Sequence, residues 1–101
     1  MDIKLVDKGQ TGELLLIGRL DSNTAPDTEE IVMQMTEKYE TLILNMEQLA
    51  YLSSAGLRIL KKAHVAMVKK GGSLVLTHVN DMIQEVFEMT GFAGILTIRP
   101  E

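Results

Sequence analysis

The chain has no cysteine, no tryptophan, two histidines, two prolines and no apolar run longer than six residues. Without cysteine there is no disulfide, no thiol nucleophile and no thiolate metal site. His64 and His78 alone do not make a conventional zinc centre. The apolar runs are too short to span a bilayer. Met1-Asp2-Ile3-Lys4 lacks the basic and apolar regions of a secretory signal. The expectation is a cytoplasmic protein with no membrane insertion. Positive charge is also in deficit. Ten Lys and Arg against fourteen Asp and Glu give a net charge of −4, with a pI near 5.1. Direct nucleic-acid binding, which rests on neutralising phosphates, is not expected of such a chain.

Enzyme signatures are sparse. Lys70-Gly71-Gly72-Ser73 follows a predicted helix, whereas a phosphate-binding loop precedes one. Its glycines read as a helix C-cap turn. His64 falls in an apolar helical stripe, the setting of a half-buried structural imidazole. His78 ends a strand at the edge where open α/β folds bind ligands, but the sequence offers it no nucleophile or carboxylate partner. No catalytic residue, metal or cofactor is expected.

What is present is 101 residues, 46% hydrophobic and 24% charged, the composition of one soluble domain over residues 1–101. Ile3 to Val6 and Leu14 to Leu20 predict two strands joined through the glycine-containing segment Asp7 to Gly12. The second run is nearly continuous, which predicts a strand inside the sheet with both faces covered. Asp21-Ser22-Asn23-Thr24-Ala25-Pro26-Asp27 is a helix start, with polar caps, an early proline and acids in the first turn. Ile31, Val32, Met35 and Tyr39 then recur at helical spacing. Thr41 to Asn45 predicts a buried strand, followed by a loop in which Tyr51-Leu52 buries. A second helix runs from about Ser54 to Lys70, with Leu57, Leu60, Ala63, His64 and Met67 inward. Ser73 to Val79 is a strand, and Asn80-Asp81 opens a third helix with Ile83, Val86 and Phe87 inward. Ile95 to Ile98 is a last strand or an extended tail. Single strands alternating with helices predict a mostly parallel sheet, to which the opening hairpin adds an antiparallel strand.

Charge is uneven along the chain. Residues 27–40 carry a net −4, and residues 54–72 a net +5 with no acid among them. Two solvated helix faces account for this, with Lys69 and Lys70 complementing the negative helix end. A polarised surface that steers a protein partner accounts for it too, and Arg58 then matters most.

The informative stretch is Tyr51-Leu52-Ser53-Ser54-Ala55-Gly56-Leu57-Arg58. Two serines stand where a helix starts, followed by small residues. An N-cap pair explains the hydroxyls, and the same helix start accommodates a phosphate. The segment from Leu42 through Ser53-Ser54-Ala55-Gly56-Leu57 to Leu60 resembles the signature of STAS domains of the anti-sigma factor antagonist (anti-anti-sigma factor) type. Gly18 to Ala25 is similar to that family's strand-to-helix segment, Lys70 to Leu76 to its glycine turn, and Val86 to Phe92 to its last-helix ending.

The resemblance implies an α/β, STAS-like, mixed four- to five-stranded sheet with three or four helices. It implies a regulatory protein that is not an enzyme and takes no cofactor. Such a protein binds an anti-sigma factor, usually also a serine kinase, and so releases a sigma factor; phosphorylation of one serine ends the binding and a phosphoserine phosphatase restores it. Matched by position, the acceptor is Ser54. Ser53 stands where many relatives carry Asp, Ala55 where many carry Ser or Thr, and Asn45 where Asp or Asn is usual. Both helix starts lie at one sheet edge, so Asp21, Ser22, Asn23 and Thr24 are expected to join Ser53, Ser54, Ala55, Gly56 and Arg58 in the partner-binding patch. The alternative is a STAS module that binds a small molecule, a nucleotide or a lipid, in a transport or signalling complex.

Overall fold

The computed structural model describes residues 1–99, so the last two residues of the expected 1–101 domain lie outside it. Strands β1 (Asp2–Lys8) and β2 (Thr11–Leu20) form an antiparallel hairpin. Helix α1 (Ala25–Lys38), strands β3 (Thr41–Asn45) and β4 (Leu49–Leu52), helix α2 (Ser54–Lys69), strand β5 (Ser73–Thr77), helix α3 (Asp81–Thr90), a single 3-10 turn (Phe92–Gly94) and strand β6 (Thr97–Ile98) follow. The sheet runs β1-β2-β3-β5-β6, with β4 beside β2 and every pair but the hairpin parallel. This is the expected α/β fold with one strand more. Leu49–Leu52, read from sequence as a loop, pairs with Gly18–Leu20. Gly18 stands at the changeover from β3 to β4: it takes φ 113°, which favours glycine, and the β2–β4 register shifts between it and Arg19.

From β2 onward the right-handed crossovers all step across the sheet in one direction, which sets the three helices on one face. Leu14, Leu16, Leu20, Leu42, Leu44, Leu74 and Leu76 point into that face and join Val32, Leu57, Leu60, Ala63, Met67, Ile83 and Phe87 in the core. On the opposite face Leu15, Ile17 and Ile43 are only half-buried. β2 is therefore central, as expected, but covered on one face and not two.

α1 presents a different inner stripe from the one its apolar residues predict. Val32 and Tyr39 are buried, but Thr28 and Thr36 are buried beside them while Ile31 is exposed. The threonines bury because their hydroxyls donate back to the helix, Thr28 to the Thr24 carbonyl at 2.9 Å and Thr36 to that of Met33 at 2.6 Å. α2 follows its sequence pattern: Leu57, Leu60, Ala63 and Met67 are buried and His64 half-buried. Lys70, expected to serve its own helix end, reaches across instead. Its Nζ donates to the Thr36 and Tyr39 carbonyls, both at 2.7 Å, and so closes the C-terminal end of α1.

Candidate functional site

The start of α2 is built by Ser53. Its backbone is extended, its N–H donates to the Leu20 carbonyl at 2.9 Å, and its Oγ accepts from the Gly56 N–H at 3.4 Å. The half-buried Ser53 is thus the N-cap. Ser54, one residue on, is exposed, and its hydroxyl has no hydrogen-bond partner among the described residues. Gly56 is buried, and a Cβ there would come within 2.5 Å of a Leu52 methyl and 2.9 Å of the Leu20 Cγ. It serves the site by letting α2 settle onto β2 and β4; as a buried residue it presents no surface of its own.

The loop before α1 is shaped by Asp21. Its Oδ1 accepts the Asn23 N–H at 2.9 Å and the Thr24 N–H at 3.2 Å. The Thr24 hydroxyl accepts the Asp21 N–H and donates to the Arg19 carbonyl at 2.8 Å. The backbone N–H groups of Thr24 and then Asn23 hold the Asp21 carboxyl below the usual carboxylate range. Arg19 lies 3.9 Å from the same carboxylate and 4.4 Å from the centre of the Tyr51 ring. Tyr51 is 39% exposed, whereas burial was expected; Leu52 does bury. At β4 Leu49 and Leu52 turn in while Ala50 and Tyr51 both face out, with the Tyr51 ring under Arg19.

The two helix starts meet in a groove of about 360 Å³ lined by Ser22, Ala25, Pro26, Glu29, Ala55, Arg58 and Ile59. Of the residues expected in one patch, Ser22, Ala55 and Arg58 share this groove, with Ser53 and Ser54 at the turn before it. Asn23 and Thr24 line another recess, with Met1, Asp2 and Ile3. Glu29 lines the groove and Arg19 and Tyr51 border the patch, and none of the three is among the site residues expected from the sequence. The four-residue strand that places Tyr51 carries a register shift and exposes Ala50 and Tyr51 together, so it offers no two-residue period to be read.

Further along the carboxyl edge, an open recess of about 570 Å³ is lined by Glu47, His78, Val79, Asn80, Gln84, Ile98 and Arg99. His78 stands there in left-handed backbone (φ 56°), its Nε2 3.6 Å from the Glu47 carboxylate. The recess shares no lining residue with the groove beside Ser54. Among the described residues no group of three or more His, Cys, Asp or Glu could hold a metal, and no helix is long and apolar enough to cross a membrane.

Fold and site together define a small mixed-sheet α/β domain whose first two helix starts lie side by side at the carboxyl edge. The chain belongs to the STAS domain family, whose sequence profile matches residues 3–101. BtrV of Bordetella bronchiseptica, provisionally named an anti-sigma factor antagonist, is 32% identical over 84 residues, covering 82% of this chain and 72% of BtrV. The anti-sigma-B factor antagonist of Staphylococcus aureus is 25% identical over 100 residues, covering 98% of this chain and 93% of that one. In fold, the chain is similar to the anti-sigma factor antagonist SpoIIAA in its unphosphorylated form (TM-score 0.78, 16% identity, 99% of this chain and 89% of that chain). It is similar also to the phosphorylated Bacillus SpoIIAA (TM-score 0.77, 18% identity, 99% of this chain and 93% of that chain).

Proposed function

We propose that the protein is an anti-sigma factor antagonist that binds an anti-sigma factor through the surface around Ser54 and is switched off by phosphorylation of Ser54. Membership of the STAS family and the names of its curated relatives support the role. The observation that carries the choice of residue is the division of labour between the two serines. Ser53 spends its hydroxyl on capping α2, whereas that of Ser54 is exposed and unengaged by the described residues. A kinase needs a free hydroxyl. The partner is an anti-sigma factor with serine kinase activity, and a phosphoserine phosphatase reverses the modification.

The added phosphate brings roughly −1.5 to −2 charges. At a helix N-terminus that charge is tolerated by the fold. Across an interface it adds bulk and a desolvation cost. The effect therefore falls on binding and not on folding. The experiment is incubation with the candidate kinase and ATP, followed by site mapping by mass spectrometry. Phosphate is expected on Ser54 in wild type and in Ser53→Ala, and absent from Ser54→Ala. Ser54→Asp is expected to lose the anti-sigma partner while keeping its thermal midpoint. Phosphate on Ser53 alone, or full binding by Ser54→Asp, refutes the proposal.

A further inference from the structure

β1 is the long open edge of the sheet. Asp2–Lys8 pair with β2 on one side, and among the described residues no strand pairs with the other. Six of its seven residues are exposed, Leu5 and Val6 each at 42%. The hairpin decides which backbone groups remain free. The two-residue turn at Gly9-Gln10 closes on Lys8 and Thr11, a pair that exchanges both of its hydrogen bonds. Alternation then turns the N–H and C=O groups of Asp2, Lys4, Val6 and Lys8 towards β2, and those of Ile3, Leu5 and Asp7 outward.

We infer that this edge is a homodimer interface, in which β1 pairs antiparallel with β1 of a second copy about a two-fold axis at Leu5. Charge selects the register. Outward groups must meet outward groups, so a two-fold pairing that uses most of the strand centres on Lys4, Leu5 or Val6. Centring on Lys4 opposes Lys4 to itself, and centring on Val6 opposes Lys4 to Lys8. Like charges directly opposite are destabilising. Centring on Leu5 sets Asp2 against Lys8 twice, Lys4 against Val6, Ile3 against Asp7 and the exposed Leu5 against its copy. Lysines on an edge strand ordinarily guard it against pairing; here they reject the wrong registers and leave one. Lys8 spends one bond on Glu13, at 2.9 Å, and keeps donors for Asp2 of the second copy. The interface is isologous and closed, so it stops at two chains. Because the paired edges run in opposite directions, the two carboxyl edges point away from each other, and both Ser54 surfaces stay clear.

The test is sedimentation of the full chain over a concentration series. A monomer–dimer equilibrium is expected for wild type. Leu5→Pro deletes an outward N–H and no bond to β2, so it is expected to weaken the dimer by about tenfold or more with an unchanged circular dichroism spectrum. Asp2→Lys and Lys8→Glu are each expected to weaken self-association. Their equal mixture is expected to dimerise again, because both pairs between positions 2 and 8 then set one acid against one base. Wild type that stays monomeric at every concentration overturns the inference and leaves the edge to another protein or to solvent. A Leu5→Pro dimer as tight as wild type also overturns it, as does a mixture no tighter than its components. If Leu5→Pro unfolds, the charge-exchanged mixture decides alone.

Discussion

At the scale of the residue, Ser53 and Ser54 carry the same hydroxyl and differ by one backbone step. Ser53 accepts the Gly56 N–H, and Ser54 points to solvent. Ser53→Ala is therefore expected to cost about 1 kcal/mol through the lost cap. Ser54→Ala should stay within about 0.5 kcal/mol of wild type. Denaturant midpoints of the two variants check this. The helix start was legible from the small-residue motif; which serine caps it was not, because element boundaries read from sequence blur by a residue or two. Glu13 makes a second prediction at this scale. Lys8 first, then Asn45, hold its carboxyl below the usual range through side-chain hydrogen bonds. A carboxyl whose folded pKa is depressed stabilises the fold above its unfolded value, near 4.5, and loses that contribution as pH falls through the folded value. Wild type should therefore lose its advantage over Glu13→Gln on acidification, by less than about 1 kcal/mol because the Lys8 partner is half exposed to solvent. Urea titrations of both proteins from neutral to acid pH measure it.

At the scale of the element, α2 was read correctly and α1 only in part, for a chemical reason. α2 buries leucine, isoleucine, alanine and methionine, which a hydropathy pattern registers. α1 buries two threonines whose hydroxyls are satisfied by their own helix, which such a pattern scores as outward. Leu60, 1% exposed, bears out the α2 register, and Leu60→Ala is expected to cost about 2–5 kcal/mol in denaturant unfolding. Lys70 was legible as a residue near a helix end, but not as a clasp on a different helix. It lies more than thirty residues from the carbonyls it holds, and no local pattern encodes that distance. Lys70→Met keeps most of the aliphatic stem and removes the donors. It should lower stability by about 1–2 kcal/mol, with faster amide exchange concentrated in the last turn of α1.

At the scale of the whole molecule, the order of strands and helices was legible, and the use of charge was not. The net −4 of residues 27–40 and +5 of residues 54–72 look like two opposed fields when read along the chain. In the fold, α1 and α2 pack together, and part of the contrast is neutralised between them. Lys62 pairs with Glu29 at 3.1 Å, and Lys70 is taken up by the α1 carbonyls. Of the five cations in residues 54–72, Arg58, Lys61 and Lys69 have no ion-pair partner among the described residues. Only Arg58 lines the groove between the helix starts. The charge left to steer a partner is thus smaller than the sequence count, and Arg58 is the part of it that lies in the groove beside Ser54. Arg58→Glu is expected to slow association with the anti-sigma partner, with the deficit largest at low salt and shrinking as ionic strength rises. Lys69→Glu makes the same charge change at the far end of α2, and should alter association little. Stopped-flow or surface-binding kinetics across a salt series separate the two. Equal slowing by both variants would mean that net charge steers and the groove does not; no slowing by either would leave these cations to solvation alone.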